Sequence, residues 1–237
     1  MTTATLALRI DAPLQSWGVR SKFVRRDTAT EPTKSGIVGL LAAARGVDRA
    51  DTAGIAQLAA LHMGVRVDRE GLVERDYHVT QNVPNTKGTG HRTVVSDRFY
   101  LADALFLVAL HGPRALLAEL EAAILRPHWP LYFGRKAFVP ASPLLEPPHR
   151  RETHGTGLLD ESLDHVLKTH PWLEQRLDQR RQARDSDRPL QLRTIRDVPA
   201  SDPEAELRHD HPVSFAHEHR EHTSRTVRHG YVTLTEP

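Results

Sequence analysis

Two short stretches carry most of the side chains able to do chemistry in this sequence. Asp11-Ala-Pro-Leu-Gln-Ser-Trp-Gly18 is followed by Arg25, Arg26 and Thr28, and then by Pro32-Thr-Lys-Ser-Gly-Ile-Val-Gly-Leu-Leu41. Thr33, Lys34, Ser35 and Gly36 stand where a helix begins. Unpaired backbone N–H groups and the helix dipole favour an anion there, Gly36 permits close approach, and Lys34 adds charge. A nucleic-acid phosphate suits that place, and so does a plain N-cap by Thr33 or Ser35. The Gly-x-x-x-x-Gly-Lys-Ser/Thr frame of a nucleoside-triphosphate loop is absent. Trp17 has two readings, stacking on an unpaired base or anchoring the loop to the core. Around it, Arg20, Lys22, Arg25, Arg26 and Lys34 outnumber Asp27 and Glu31 over residues 19–34, a local basic patch.

Further along, Lys87, His91 and Arg92 lie in a polar stretch with Pro84, Gly88 and Gly90, where they suit contacts to a phosphate backbone and the glycines keep the segment pliable. Arg135 and Lys136, after Tyr132-Phe-Gly134, form another positive pair that reaches either RNA or surface carboxylates. His209, His211, His217, His219, His222 and His229 are interspersed with Asp210, Glu218 and Glu221, but no His-Glu-x-x-His pattern marks a zinc site. A tail of this kind more often tunes surface charge, and we expect no metal. No Gly-x-Ser-x-Gly element marks a hydrolase nucleophile.

These residues need a scaffold, and the apolar pattern supplies one. Residues 5–10 (Thr-Leu-Ala-Leu-Arg-Ile) suit a buried first strand, and the breakers Pro13, Gly18 and Pro32 make 11–32 a loop. A helix follows over 37–45 with Gly46 at its C-terminal end. Strands are expected at 63–68 and 72–79, paired as a hairpin through Arg69-Glu-Gly71. Residues 80–94 interrupt strand-like sequence on both sides and read as a protruding arm or flexible loop, with 94–101 as its returning limb. A buried strand at 104–110 and a proline-initiated helix over 113–125 complete the series β, α, β, β with the arm, β, α. Helices packed on one face of an antiparallel sheet, an α+β fold, satisfy that order. Beyond Arg126, Pro127, Pro130, Pro140, Pro143, Pro147 and Pro148 break the pattern and charged stretches run on to Arg220, so residues 146–237 read as an irregular extension of a domain at 1–145. Within it, 173–184 suits a charged helix with a solvated face, and 231–234 a closing strand.

The 237 residues are enough for one sizeable core without staples. Cys is 0, which excludes disulfides, thiolate metal sites and thiol nucleophiles and fits a reducing compartment. No apolar run approaches the roughly 18 residues that span a bilayer and no signal segment is recognisable, so the expected address is the cytoplasm, with no membrane partner. Lys+Arg is 32 against Asp+Glu 30, a formal charge of +2, so charge distribution carries more information than the total.

Pro13-Leu-Gln-Ser-Trp-Gly18 joined to Pro32-Thr-Lys-Ser-Gly36 and a Leu/Ala-rich helix resembles the N-terminal signature of the CasD family of type I-E CRISPR Cascade complexes. Asp76-Tyr-His78 with Gln81, Val95-Ser-Asp-Arg98 with Tyr100-Leu, Asp103-Ala104, Phe106-Leu-Val-Ala-Leu110 and Leu131-Tyr-Phe-Gly-Arg-Lys136 are similar to that family in order and spacing, over about the first 145 residues. The resemblance implies a modified RRM (ferredoxin-like) domain of the RAMP superfamily, with a thumb-like β-hairpin arm at about 80–100 gripping the guide. It implies a non-catalytic subunit without cofactor that caps the 5′ handle of the crRNA. Its implied partners are the repeated backbone subunit and the large target-recognition subunit, with target DNA met through the complex. Carried over by position, Gln15, Trp17, Lys34, Ser35 and Gly36 hold the handle with Arg25 and Arg26 near its phosphates, and Lys87, His91, Arg92, Arg135 and Lys136 add backbone contacts. A related type I-C branch implies the alternative, a metal-independent endoribonuclease using Tyr, Lys and His. Here Tyr77, His78, Lys87 and His91 supply those types, but Tyr77 and His78, neighbours on a strand, should face opposite sides of the sheet.

Overall fold

The computed structural model describes residues 2–19, 24–86, 88–146 and 155–234. Lys87, Arg20, Lys22, Pro147 and Pro148 lie outside the described residues. The apolar first segment forms β1 (Thr3–Asp11), the charged loop carries two-residue strands β2 (Leu14–Gln15) and β3 (Arg25–Arg26), and the Leu/Ala run forms α1 (Lys34–Arg45). Thr33 caps α1 by accepting from the Gly36 N–H, and Gly46 ends it at φ 78°, a conformation glycine adopts without Cβ strain. Then come α2 (Thr52–Ala59), β4 (His62–Arg69), β5 (Leu72–Pro84), β6 (His91–Ala102), β7 (Leu105–Pro113) and α3 (Arg114–Leu125). The remaining elements are β8 (Gly157–Leu159), α4 (Leu163–Thr169), α5 (Leu177–Arg184), β9 (Leu190–Asp197), β10 (Glu206–Phe215) and β11 (Arg220–Leu234).

Seven strands make the main sheet in the order β10-β11-β9-β4-β7-β1-β8, and every described pairing in it is antiparallel. The stretch β8-β1-β7-β4, with α1 and α3 in the crossovers, has the strand order of a β-α-β-β-α-β unit. Strand periodicity divides the core. Leu6, Leu8 and Ile10 of β1, Val65 and Val67 of β4 and Phe106, Val108 and Leu110 of β7 face α1, α2 and α3 in the principal cluster. The alternate residues Ala7, Leu105, Leu107 and Ala109 face Val166 and Leu167 of α4 and Leu173. Helices therefore cover both faces of the central strands, which explains why β1 and β7 read as nearly continuous apolar runs.

The hairpin expected between 63–68 and 72–79 does not form. β4 pairs with β7, while β5 pairs with β6 from Leu72↔Ala102 out to Pro84↔His91. In effect β4 and β5 run on as one limb and β6 and β7 return as the other, a long hairpin broken at Glu70–Gly71 and at Asp103–Ala104. The outer half is the arm. It is longer than the polar stretch that suggested it, and β2 and β3 pair with its β6 strand near the root. A register break between Thr80 and Val83, with Asn82 at φ 58°, bends β5, and Asn85 organises the tip by donating from its N–H to Gly90 O at 2.9 Å.

The extension is more regular than its composition suggests. β9 adds to the free edge of β4, β11 pairs with β9 at eight positions, and β10 follows with two register shifts. Residues 231–234 end β11, and α5 has no buried residue, as a solvated face requires. The strands were hidden because their charges are consumed by ion pairs: Arg193 with Glu31 and Glu70, Arg196 with Asp164, Arg228 with Asp202 and Glu204. Among the described residues no helix is long and apolar enough to cross a membrane.

Candidate nucleic-acid interface

The loop from Pro13 to Thr33 is built around Trp17. Its side chain is 2% exposed, its ring lies 5.8 Å from that of Phe133, and its Nε1–H donates to Gln15 Oε1 at 3.1 Å. Gln15, fully buried, donates in turn from Nε2 to Ala104 O at 2.8 Å, so both ends of its amide are used. The Trp17 backbone accepts from Ala29 N at 2.7 Å and donates to Thr28 Oγ1 at 2.9 Å, closing the loop on itself. Two glycines make room. A Cβ on Gly36 would lie 2.8 Å from Trp17 Cε3, and one on Gly134, at φ 90°, would lie 1.9 Å from Ser16 O. Of the two readings of Trp17, the core anchor is the one this geometry provides; the ring offers no free face to a base.

The start of α1 likewise finds partners within the fold. Thr33 Oγ1 takes the Gly36 N–H at 3.2 Å, Ser35 Oγ lies 3.5 Å from the same oxygen, and Asp210 Oδ2 takes the Lys34 N–H at 2.9 Å. The Lys34 ammonium is buried and donates to Asp197 Oδ2 at 2.7 Å, and Arg225 bridges Asp197 and Asp210. Burial lowers the Lys34 pKa against the opposing pull of Asp197. A carboxylate of the C-terminal strands thus stands where an external anion was expected.

Glu31 completes this internal wiring. It is 2% exposed and accepts from Thr30 Oγ1 at 2.6 Å, from Arg193 at 2.8 Å and from Arg208. Burial alone would raise its pKa, but the hydrogen bonds from Thr30, Arg208 and Arg193 outweigh it and hold the group at about 2 against an ordinary 4.5. Because the folded value is the lower one, the stabilisation is complete above pH 4.5 and is lost as pH falls towards 2, about 3 kcal/mol in all. Urea midpoints measured from pH 6 to pH 2 should fall through that window, and Glu31→Gln should flatten the fall; an unchanged slope in the variant would remove Glu31 as its source.

The groups left to solvent lie beside the arm. Arg25 and Arg26 are exposed on β3, in parallel register with Asp97 and Arg98 of β6. The Arg25 guanidinium sits 4.8 Å from the Phe99 ring centroid while its Nε donates to Asp27 at 2.8 Å. His91 and Arg92 are exposed where β6 leaves the tip, beyond Gly88 at φ 69°. Arg135 is partly buried, donates to Phe99 O at 2.6 Å and lies over Phe138 at 5.1 Å; burial, then Arg98, lowers its pKa. It braces the arm root, whereas Lys136 is exposed. Arg98, brought beside Arg26 by the β3–β6 pairing, was not among the candidates; only knowledge of that pairing would have added it.

Tyr77, 63% exposed, and His78, 3.4 Å from Asp76, occupy successive positions of β5 and so point to opposite faces. In the His-rich strands β10 and β11 and the turn between them, His219 pairs with Glu221 at 3.0 Å, His209 lies 3.3 Å from Ser224 Oγ, and burial lowers the pKa of His211 and His222. Among the described residues no three His, Asp or Glu side chains converge as a metal site.

Comparison with known proteins agrees with this architecture. The chain is 36% identical over 153 residues to the CRISPR system Cascade subunit CasD of Escherichia coli (strain K12), covering 59% of this chain and 68% of that protein. It superposes on a solved structure described as "Crystal structure of Cas protein" with a TM-score of 0.71 at 37% identity, over 97% of this chain and 95% of that one. A chain of a "CRISPR RNA-guided surveillance complex" matches with a TM-score of 0.75 at 30% identity, over 97% of this chain and 90% of that one. Residues 5–228, nearly the whole β-α-β-β-α-β unit, arm and C-terminal strands, match the family described as CRISPR-associated protein (Cas_Cas5), and the chain belongs to that family.

Proposed function

We propose that this chain is a non-catalytic crRNA-binding subunit of a type I-E Cascade surveillance complex, capping the 5′ handle of the guide in the cytoplasm during antiviral defence. The observation that carries the reading is the two-stranded arm standing off the main sheet with solvent-facing cationic groups beside it, in a chain similar to a Cascade subunit. Phosphates of the handle meet Arg25, Arg26, Lys87, His91, Arg92, Arg98 and Lys136. Gln15, Trp17, Lys34, Ser35 and Gly36 act one step back, by fixing the loop from which Arg25 and Arg26 project, and Arg135 acts by bracing β6. Backbone and large subunits of the complex occupy the remaining surfaces, and target DNA is met through them.

Positioning by phosphate contacts makes retention salt-dependent. Arg26→Ala combined with Arg92→Ala should weaken guide retention and lower the slope of log affinity against log salt by roughly 0.7 for each phosphate of the single strand that is no longer neutralised. Filter binding of repeat-derived RNA to the assembled complex at two or three salt concentrations reads this; an unchanged slope would move the handle elsewhere. The same samples, run without divalent metal on a denaturing gel, address the endoribonuclease alternative. Intact RNA is expected, and specific cutting lost in a His78 or His91 variant would replace the present reading.

A further inference from the structure

The chain passes between arm and core at Glu70–Gly71 and at Asp103–Ala104, while β2, β3 and Arg135 also hold the β6 strand near the root. Asp103 is a non-glycine residue at φ 65° and donates its N–H to Pro13 O at 2.9 Å. Gly71 leaves so little space that a Cβ would lie 2.7 Å from that of Ala104. The crossing is therefore tight, but two backbone breaks alone leave a hinge.

A segment from the other end of the chain closes that hinge. Arg69, the last residue of β4, donates from Nε to Asp103 O at 2.7 Å and from Nη1 to both oxygens of Glu174 at 2.8 and 2.6 Å. Glu174 is buried, and its Oε1 also accepts the N–H groups of Gln175 and Arg176. Arg176 then reaches back across the gap to Asp103 Oδ1. The segment is seated firmly on β4: Trp172 Nε1–H donates to Asp68 O at 2.9 Å, Leu173 N–H to Asp68 Oδ2 at 2.8 Å, and the buried Arg66 holds Pro171 O at 2.9 Å. Asp103 is thus gripped from the sheet by Arg69 and from the C-terminal segment by Arg176.

We propose that Glu174 and Arg176 are positioning residues that set the angle at which the arm leaves the main sheet, a role that bears on guide binding only through the function proposed above. The clamp acts at the root, alongside the β2 and β3 pairings and the Arg135 brace on β6, so loosening it widens the range of arm angles while the β5–β6 ladder stays intact.

The absence of cysteine makes the test direct. Spin labels at Thr86→Cys, on the tip, and Ala115→Cys, on α3, report the distance from arm to core in the full-length chain. The parent should give one narrow distribution, and Arg176→Ala and Asp103→Asn, whose new residue tolerates the positive φ, should each broaden and shift it. Arg176→Lys should restore most of the parental distribution, and melting midpoints should stay in the range of surface substitutions, which a merely stabilising pair would not predict together. A parental distribution in both variants overturns the proposal. Guide retention by the same variants is expected to fall roughly threefold to tenfold, the scale of one charged contact. Broadened distances with full retention would support the clamp and overturn the gripping role of the arm instead.

Discussion

Asp197→Ala should destabilise the protein by about 3–5 kcal/mol, the cost of leaving buried cations without their anion. Asp197 Oδ2 accepts from Lys34 Nζ at 2.7 Å and from Met63 N–H at 2.9 Å, and its other oxygen faces Arg225. Burial works to raise its pKa, but Arg225 and Lys34 more than reverse that and hold it below the usual carboxylate range. Without the carboxylate, Lys34 and Arg225, each 7% exposed at the side chain, share only Asp210 between them. Denaturant unfolding with an unchanged m-value reads the loss. Adding Lys34→Met should recover part of it, because removing both charges is cheaper than orphaning one. A loss below about 1 kcal/mol would mean that water reaches the cluster and that Lys34 remains available to outside anions.

Trp17→Ala should cost a further, separate 3–5 kcal/mol or so, the range for an aromatic cavity that cannot collapse. Collapse is resisted here because Gly36, Phe133 and the Gln15 amide are themselves fixed by helix, ring packing and the Ala104 carbonyl. Trp17→Phe separates the two readings of this residue. As a core anchor, Phe keeps the ring but strands Gln15 Oε1, a loss of about 1–3 kcal/mol in stability with guide retention preserved in the folded fraction. As a base platform, Trp17→Ala would leave stability almost untouched and abolish retention. Thermal unfolding and filter binding on the same preparations decide between them.

Much of the inner unit was legible. Continuous apolar runs marked β1 and β7, the Thr33 and Gly46 caps marked α1, and glycine-rich polarity between strand-like limbs marked the arm. Pairing was harder: Arg69-Glu-Gly71 has the residues of a turn, and only tertiary context shows that the chain passes there from one sheet to another. β9, β10 and all of β11 before its closing residues 231–234 were missed because Arg193, Arg196, Arg225 and Arg228 look solvated until their carboxylates are placed. α2 and α4, eight and seven residues long, are held by Asp51 and Ser162 caps and by a few buried residues, too few to show a period. At the site, residue types were found but not their state: Lys34 and Trp17 have the chemistry of ligand contacts and the burial of core residues.

The tie between Lys34 and the last strands has a meaning for the chain as it is made. Asp197 and Asp210 follow Lys34 by 163 and 176 positions, so during synthesis the start of α1, next to the loop that displays Arg25 and Arg26, gains its carboxylate partners only after β9 and then β10 have emerged. The order of synthesis and the order in which this loop is fixed are thereby tied together.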